Sequence, residues 1–418
     1  MNDFLKYKIN IISLAGFKGI QILSTLILTH ILISSFGKND YAIFVVILSF
    51  GQLVMIDTGA SEAVKKNLLM SKDYPHDKVI FNGLIITTLS SVITITLFYV
   101  LIFLSDPETI NGYDYELWMV LFISTLIMPL KISREVFTAY HETYKHSLLM
   151  IACICTSIIY SVLLGVDDFI EAIMIQHGVL LIGNGLSILY LYKDKGLQFR
   201  LQLFDIDVIK KLMPDTVKFL LLGLSLMLIN GADIVLLSSL GIDNEELTEF
   251  SLVLRIYIYI HTVFMLLIYP SLPLLSSLYQ SDYSKYLIFR GRLSFAIVFG
   301  SGLTLFIFCL LLPNIISIWV GIVLTIPYKS VIFIAMFTYF RLLSDYFDYL
   351  LRSENIVNKQ VFFTLIEAIL HIMLSILGWN WDGLIGFSLG ILVATLFSRT
   401  LPFLFFIVRN TKNKSISL

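Results

Sequence analysis

The stretch LISSFGKNDYAIFVVILSFGQLVMIDTGA, residues 32–60, closes one apolar run, breaks at Gly37–Asp40 and opens a second run. From Tyr41 to Ser61 its only formal charge is Asp57, and the preceding run, 9–34, carries only Lys18. A membrane-spanning helix needs about 20 predominantly apolar residues, so this passage reads as two membrane helices joined by a tight polar turn. The whole chain agrees. Its 418 residues are 57% hydrophobic and 14% charged, with a mean hydropathy of +0.87, whereas soluble domains carry roughly 25% charged residues. Twenty-nine basic residues against 30 acidic ones leave a net charge of −1, which excludes a nucleic-acid binder recruited by bulk positive charge. The three cysteines, Cys153, Cys155 and Cys309, all lie in apolar runs and exclude a disulfide framework or a cysteine-rich metal site.

Twelve stretches qualify as spans: 9–34, 41–61, 79–104, 117–133, 147–165, 169–192, 217–240, 250–275, 293–320, 331–351, 361–379 and 384–408. The first lacks a small-residue cleavage site and reads as an uncleaved helix. Lys and Arg accumulate on the cytoplasmic side of membranes. With the N-terminus inside, 23 of the 29 basic residues fall in cytoplasmic segments, while only Lys38 and Lys329 lie in external connections. Lys18, Arg255, Arg341 and Arg399 lie within spans. Trp118, Trp319, Trp379 and Trp381 all fall at external helix ends, where an interfacial aromatic belt belongs. The expected protein is therefore an all-α polytopic membrane protein with both termini cytoplasmic and no extramembrane domain for chemistry.

The longest internal connection, Lys193 to Thr216, sits at the midpoint of the chain. It separates an N-terminal six-helix lobe, 1–192, from a C-terminal one, 217–418, with 193–216 as a cytoplasmic amphipathic linker. Leu201, Phe204, Val208 and Leu212 recur there at helical spacing beside Lys210 and Lys211, which reads as a short surface helix ended by Pro214. A trace of repetition links the halves: Leu32-Ile33-Ser34-Ser35-Phe36-Gly37 against Leu236-Leu237-Ser238-Ser239-Leu240-Gly241. Parallel repeats of this kind place a site near the midplane.

Charges inside spans cost about 2.5–3.5 kcal/mol each at the centre and normally face a bundle interior or wet cavity. Arg341, Asp345, Asp348 and Arg352 follow i, i+4, i+7, i+11 spacing on the tenth span and so share a narrow arc. Similar stripes are Ser251, Arg255, Tyr259 and Thr262 on the eighth span and Lys18, Gln21, Thr25 and Thr29 on the first. Thr364, Glu367 and His371 line the eleventh, and Ser388, Thr395 and Arg399 the twelfth. Five wet stripes imply a shared polar cavity. The structural alternatives are ion pairs: Arg341 with Asp345, Asp348 with Arg352 near the inner surface, Asp233 with Arg255, and Lys18 with Asp57. Arg134 and Glu135 sit at the inner mouth. Arg399 and His371 have no partner in their own helices; a partnerless arginine suits a phosphate, and a His beside a Glu at i, i+4 suits protonation.

These motifs resemble those of the polysaccharide-unit flippases of the Wzx type, in the superfamily shared with MATE drug exporters and the lipid II flippase. The residues that carry the resemblance are Leu32 to Gly37, Tyr41-Ala42-Ile43-Phe44, Phe50-Gly51-Gln52-Leu53 and Asp57-Thr58-Gly59-Ala60. The pattern recurs as Pro214, Asn230-Gly231-Ala232-Asp233, Leu236 to Gly241, Phe250-Ser251 with Arg255, and Tyr269-Pro270 to Pro273. The resemblance implies a MATE-like flippase fold, two six-helix lobes that open a central cavity alternately to each side. It also implies a cargo, an oligosaccharide on a polyprenyl diphosphate, moved from the inner to the outer leaflet of a bacterial cytoplasmic membrane for O-antigen, lipopolysaccharide or capsule assembly. A polysaccharide polymerase and a chain-length regulator would be partners besides membrane lipids.

On this reading Arg341 and Arg399 engage the diphosphate or acidic sugars, Lys18 and Arg255 support them, and Tyr259, Thr262, Thr364 and Ser388 hydrogen-bond sugar hydroxyls. No cofactor is expected; coupling to H+ or Na+ would fall to Asp57, Glu367 or His371. The rival is a MATE-like drug or cation antiporter, against which the basic residues argue. An enzyme is the remaining alternative. A polysaccharide polymerase would need a large external loop, which the sequence lacks, and an O-acyltransferase has only Glu367 and His371 to offer.

Overall fold

In a computed structural model of the protein, residues 3–55, 59–70, 74–105, 112–163, 165–166, 168–197, 200–269, 271–354 and 358–417 are described. They form helices and turns with no strand among them. Among the described residues ten helical segments are long and apolar enough to cross a membrane. Two of the ten are double. The 46-residue segment Ile9–Val54 lies in α1 (Asp3–Val54), which is broken at Gly37 (φ 84°, ψ −176°). The 50-residue segment Gln360–Arg409 starts in α13 (Asn358–Thr395), which is broken at Asp382 and Gly383. Resolving both gives the twelve spans expected from hydropathy, with the first break at the start of the polar turn Gly37–Asp40.

The chain divides into two compact units, Met1–Thr248 and Glu249–Leu418. Unit 1 holds α1, α2 (Ala60–Met70), α3 (His76–Ser105), α4 (Asp114–Leu130) and α5 (Ile132–Ala139), followed by α6 (Thr143–Leu163), α7 (Phe169–Lys195) and α8 (Ile206–Ser239). In it α1 packs on α6, α4 and α8, and α8 also packs on α2 and α3. The seventh span therefore sits with the first six, whereas the sequence layout drew the boundary at 193–216. One apolar core of this unit joins Ala63 and Val64 of α2, Ile80 of α3, Val136 and Phe137 of α5, and Val208 and Leu212 of α8.

That core explains a correction. The amphipathic segment does not end at Pro214: α8 starts at Ile206, with the Asp205 side chain accepting from the Asp207 amide, and runs through the proline. Proline removes one backbone hydrogen bond. Burial of Val208 and Leu212 on one side and of Thr216 on the other holds the helix continuous across the gap. Ion pairs tie the end of this unit that the charge count assigns to the cytoplasm: Lys66 with Asp215 at 2.7 Å, Lys78 with Asp205 at 2.5 Å, and Lys65 with Glu135 at 2.6 Å. Glu142 accepts from Lys145 at 2.9 Å and Lys195 at 2.7 Å. Burial works against its ionised form, but the two lysines outweigh it and hold the carboxyl below its ordinary range.

Unit 2 holds α9 (Asn244–Ile268) from Glu249 onward, α10 (Ser271–Ser281), α11 (Tyr283–Val320), α12 (Tyr328–Ser353), α13, a π-helical turn at Leu396–Thr400 and α14 (Leu401–Ser417). Here α12 packs on α10, α11, α13 and α14, and 67% of its apolar window is buried, more than in any other span. The two arms of α13 meet backbone to backbone: a Cβ on Gly386 would lie 1.9 Å from the Gly378 carbonyl oxygen, and one on Gly378 would lie 2.0 Å from that of Gly386. Small residues permit such helix contacts in membranes.

Gly386→Ala should therefore force the arms apart and cost about 3 kcal/mol, the upper end of ordinary overpacking. Gly16→Ala, whose Cβ meets nothing within 4 Å, should be neutral or slightly stabilising. Thermal unfolding in detergent compares the two; equal midpoints would contradict the close approach.

Candidate functional site

The stripe on α12 faces inward in unit 2. Arg341 and Asp348 are buried, the latter with Gln360 donating at 2.8 Å and Arg352 pairing at 2.9 Å. Asp345 is the hub. Its Oδ1 accepts from Arg399 Nη2 at 2.7 Å, while its Oδ2 lies 2.8 Å from His261 Nε2 and 3.7 Å from Arg341 Nε. Arg399, 1% exposed, also reaches Glu367 Oε2 through Nη1 at 3.4 Å. Glu367, 0% exposed, accepts on its other oxygen from Thr395 at 2.8 Å. The Phe403 ring lies 5.6 Å from the Arg399 guanidinium. Four helices thus converge on one ionic network: α9 through His261, α12, the first arm of α13, and the π-helical turn.

The π-helical turn has a local cause. Pro402 cannot donate to the carbonyl of Ser398 and its ring crowds that turn, and a π-bulge relieves the crowding by widening the turn. Thr400 closes the widened turn by donating to the Thr395 carbonyl at 3.1 Å and the Phe340 carbonyl at 3.2 Å, with Ser344 at 2.6 Å. Arg399 on that turn reaches both carboxylates. Arg399 has no acidic partner in its own helix, as expected, but it is not partnerless. Its partners lie 54 and 32 residues away in sequence, on other helices, where spacing along one helix cannot find them.

Arg341 differs. It is 5% exposed, and its Nε and Nη1 have no hydrogen-bond partner; 3.7 Å to Asp345 is an ion-pair distance, too long for a hydrogen bond. Unmade hydrogen bonds to a buried charged group cost more than the 1–3 kcal/mol of a neutral one, so this guanidinium is poised to take an acceptor. Three arginines (Arg341, Arg352, Arg399) meet three carboxylates (Asp345, Asp348, Glu367), so their formal charges cancel within this network.

The other described residues of the expected set have contacts of their own. Thr262, Thr364 and Ser388 each donate to a carbonyl of their own helix at 2.8 Å, and Thr364 and Ser388 are fully buried. Tyr259 is half-buried on α9 and Arg255 half-buried one turn earlier, while Asp233 is buried on α8. His371 is buried beside the Phe337 ring at 5.9 Å. In unit 1, Lys18 is half-buried and donates to Gln21 at 3.1 Å on the stripe shared with Thr25 and Thr29. Glu135 pairs with Lys65 and lies 3.8 Å from Arg134. Asp57 lies outside the described residues. Sequence reasoning missed His261 because it stands about 200° around the helix from Tyr259, off the stripe that carries Arg255 and Tyr259. It missed Gln360 because that residue precedes the apolar run.

Removing one partner of a buried ion set costs about 3–5 kcal/mol, whereas replacing the whole set by neutral groups costs far less. Arg399→Met should accordingly lower the unfolding midpoint sharply, and the quadruple change Arg341→Met, Asp345→Asn, Glu367→Gln, Arg399→Met, which leaves no member of the set unpaired, should regain most of the loss. Calorimetry in detergent measures both. A quadruple variant no more stable than the single one would contradict the network.

No protein-family model matches the chain, and no curated protein does. Solved structures do match. The inward-facing conformation of a multidrug resistance MATE family transporter of the MOP superfamily is 13% identical, with 96% of each chain covered and a TM-score of 0.69. The lipid II flippase MurJ, inward closed, is 15% identical, covering 95% of this chain and 86% of that one at a TM-score of 0.66. A MOP superfamily transporter from Pyrococcus furiosus, described by the reverse polarity of its binding pocket, is 12% identical over 99% of this chain and 97% of that one, at 0.64. At such identities the likeness concerns architecture. The chain is a multi-pass membrane protein with the fold of the MOP superfamily transporters and flippases.

Proposed function

We propose that the protein is a flippase that carries an oligosaccharide on a polyprenyl diphosphate from the inner to the outer leaflet of a bacterial cytoplasmic membrane by alternating access, both termini being cytoplasmic. The observation that supports this reading is Arg341: a buried guanidinium with Nε and Nη1 unpartnered has donors on two edges to offer the oxygens of a phosphate or sugar carboxylate in charge-assisted hydrogen bonds. Lys18 in unit 1 and Arg255 in unit 2 would each offer a further cation to the cargo. Arg399 is reassigned from ligand to support: through Asp345 it holds the helix that presents Arg341. The coupling ion, H+ or Na+, would be carried by Glu367 or His371. Solved structures that share the fold include transporters and a flippase.

The second reading is a drug or cation antiporter, which the MATE fold itself favours. A cationic cargo, however, needs surplus negative charge. In the α12 network Asp345, Asp348 and Glu367 each face an arginine, so that network offers a cation no surplus carboxylate.

A deletion strain separates the two. The wild-type chain should restore surface polysaccharide, Arg341→Ala should lose most of it, roughly tenfold or more for a charge-assisted contact of 1.5–3 kcal/mol, and Arg341→Lys should retain part. Normal polysaccharide in the deletion strain together with drug sensitivity would contradict the flippase reading and favour the antiporter.

A further inference from the structure

The segment that leads into α8 is built in an unexpected way for a cytoplasmic connection. Leu201–Leu203 form one 3-10 turn, and Asn82 of α3 clamps it from both sides, donating to the Leu203 carbonyl at 2.8 Å and accepting from the Asp205 amide at 3.0 Å. Lys78 adds the ion pair to Asp205 at 2.5 Å. The clamped turn presents apolar side chains outward: Leu201 is 87% exposed, Phe204 53% and Ile206 57%.

These side chains continue a longer stripe. Ile206, Met213, Val217, Leu221 and Leu224 are all exposed and fall within about 80° on the helix wheel, so an apolar side of the seventh span, interrupted by Lys210, continues into the turn. Beside it stand Arg200, Lys210, Lys211 and Lys218, all exposed, with Lys211 Nζ 5.3 Å from the Tyr74 ring. Of the three carboxylates in the segment, Asp205 is engaged by Lys78 and Asp215 by Lys66, and Asp207 lies 3.8 Å from Lys210.

We propose that this turn is a docking site for an anionic phospholipid of the inner leaflet. Leu201, Phe204 and Ile206 enter the boundary between headgroups and acyl chains, and Arg200, Lys210, Lys211 and Lys218 meet the headgroup phosphate. An apolar patch joined to a spanning stripe and flanked by cations is what interfacial anchoring requires, and the cytoplasmic leaflet supplies the matching negative potential. The site is separate from the cargo residues and rests on the charge-count orientation, so it stands whichever cargo the protein carries.

Two measurements on the full-length protein in vesicles test it. First, a nitroxide on Phe204→Cys, in a chain with Cys153, Cys155 and Cys309 changed to serine, should be more accessible to oxygen than to aqueous nickel. Second, spin-labelled phosphatidylglycerol should associate about threefold more strongly than phosphatidylcholine, the preference being electrostatic and weakened by salt. It should fall to about one in the triple variant Lys210→Gln, Lys211→Gln, Lys218→Gln. A label exposed to water, or a triple variant that keeps the full preference, would overturn the proposal. So would loss of that preference on adding millimolar inorganic phosphate at constant ionic strength, since the cations would then be binding free anion.

Discussion

The interior of unit 2 depends on the guanidinium of Arg399 being matched where water is scarce. A buried arginine persists only with carboxylates and hydrogen bonds around it, and Asp345 and Glu367 supply them from two different helices. This requirement sets the register between α12, the first arm of α13 and the π-helical turn. The close glycine contact at Gly378 and Gly386 brings the two arms of α13 together. Once Arg399 has taken Oδ1 of Asp345, the other oxygen is left to His261, and Arg341 stands at ion-pair range with donors to spare. The residue best able to bind an anion is thus a by-product of how another arginine is satisfied.

The same logic separates structural from functional charges more sharply than position along the chain can. Lys65, Glu135, Lys66, Asp215, Lys78 and Asp205 form short pairs that fasten helices to one another, and Arg352 pairs with Asp348. Such contacts hold the scaffold. Arg341 is the exception among the described arginines of the α12 stripe, because geometry denies it a hydrogen bond to its nearest carboxylate. In the network each of the three carboxylates already faces an arginine, while two nitrogens of Arg341 and one oxygen of Asp348 lack a hydrogen-bond partner.

Much of the architecture was legible in the sequence because lipid imposes simple demands. Apolar runs of about 20 residues, the Gly37–Asp40 break and the alternation of basic connections mark twelve spans, and the helices follow them. Pro214 misled because proline rules are local, whereas burial of Val208, Leu212 and Thr216 decides whether the helix continues. The site was legible only by halves. Periodicity placed Arg341, Asp345, Asp348 and Arg352 on one face, and the pairs at i, i+4 follow from that. Arg399 with Asp345 and Glu367, and Asp345 with His261, are contacts between helices far apart in the chain; no spacing encodes them, and His261 lies off its helix's polar stripe.

The central claim, that the cargo is an anionic lipid-linked oligosaccharide, is tested most directly in unilamellar vesicles containing the purified protein and a fluorescent polyprenyl-diphosphate oligosaccharide. The measured quantity is the fraction of label reached by a membrane-impermeant quencher with time. The account predicts a rise from about half of the label towards nearly all of it as trapped molecules exchange between leaflets, at a rate that scales with protein content. A plateau at about half, the same as in protein-free vesicles, would contradict it.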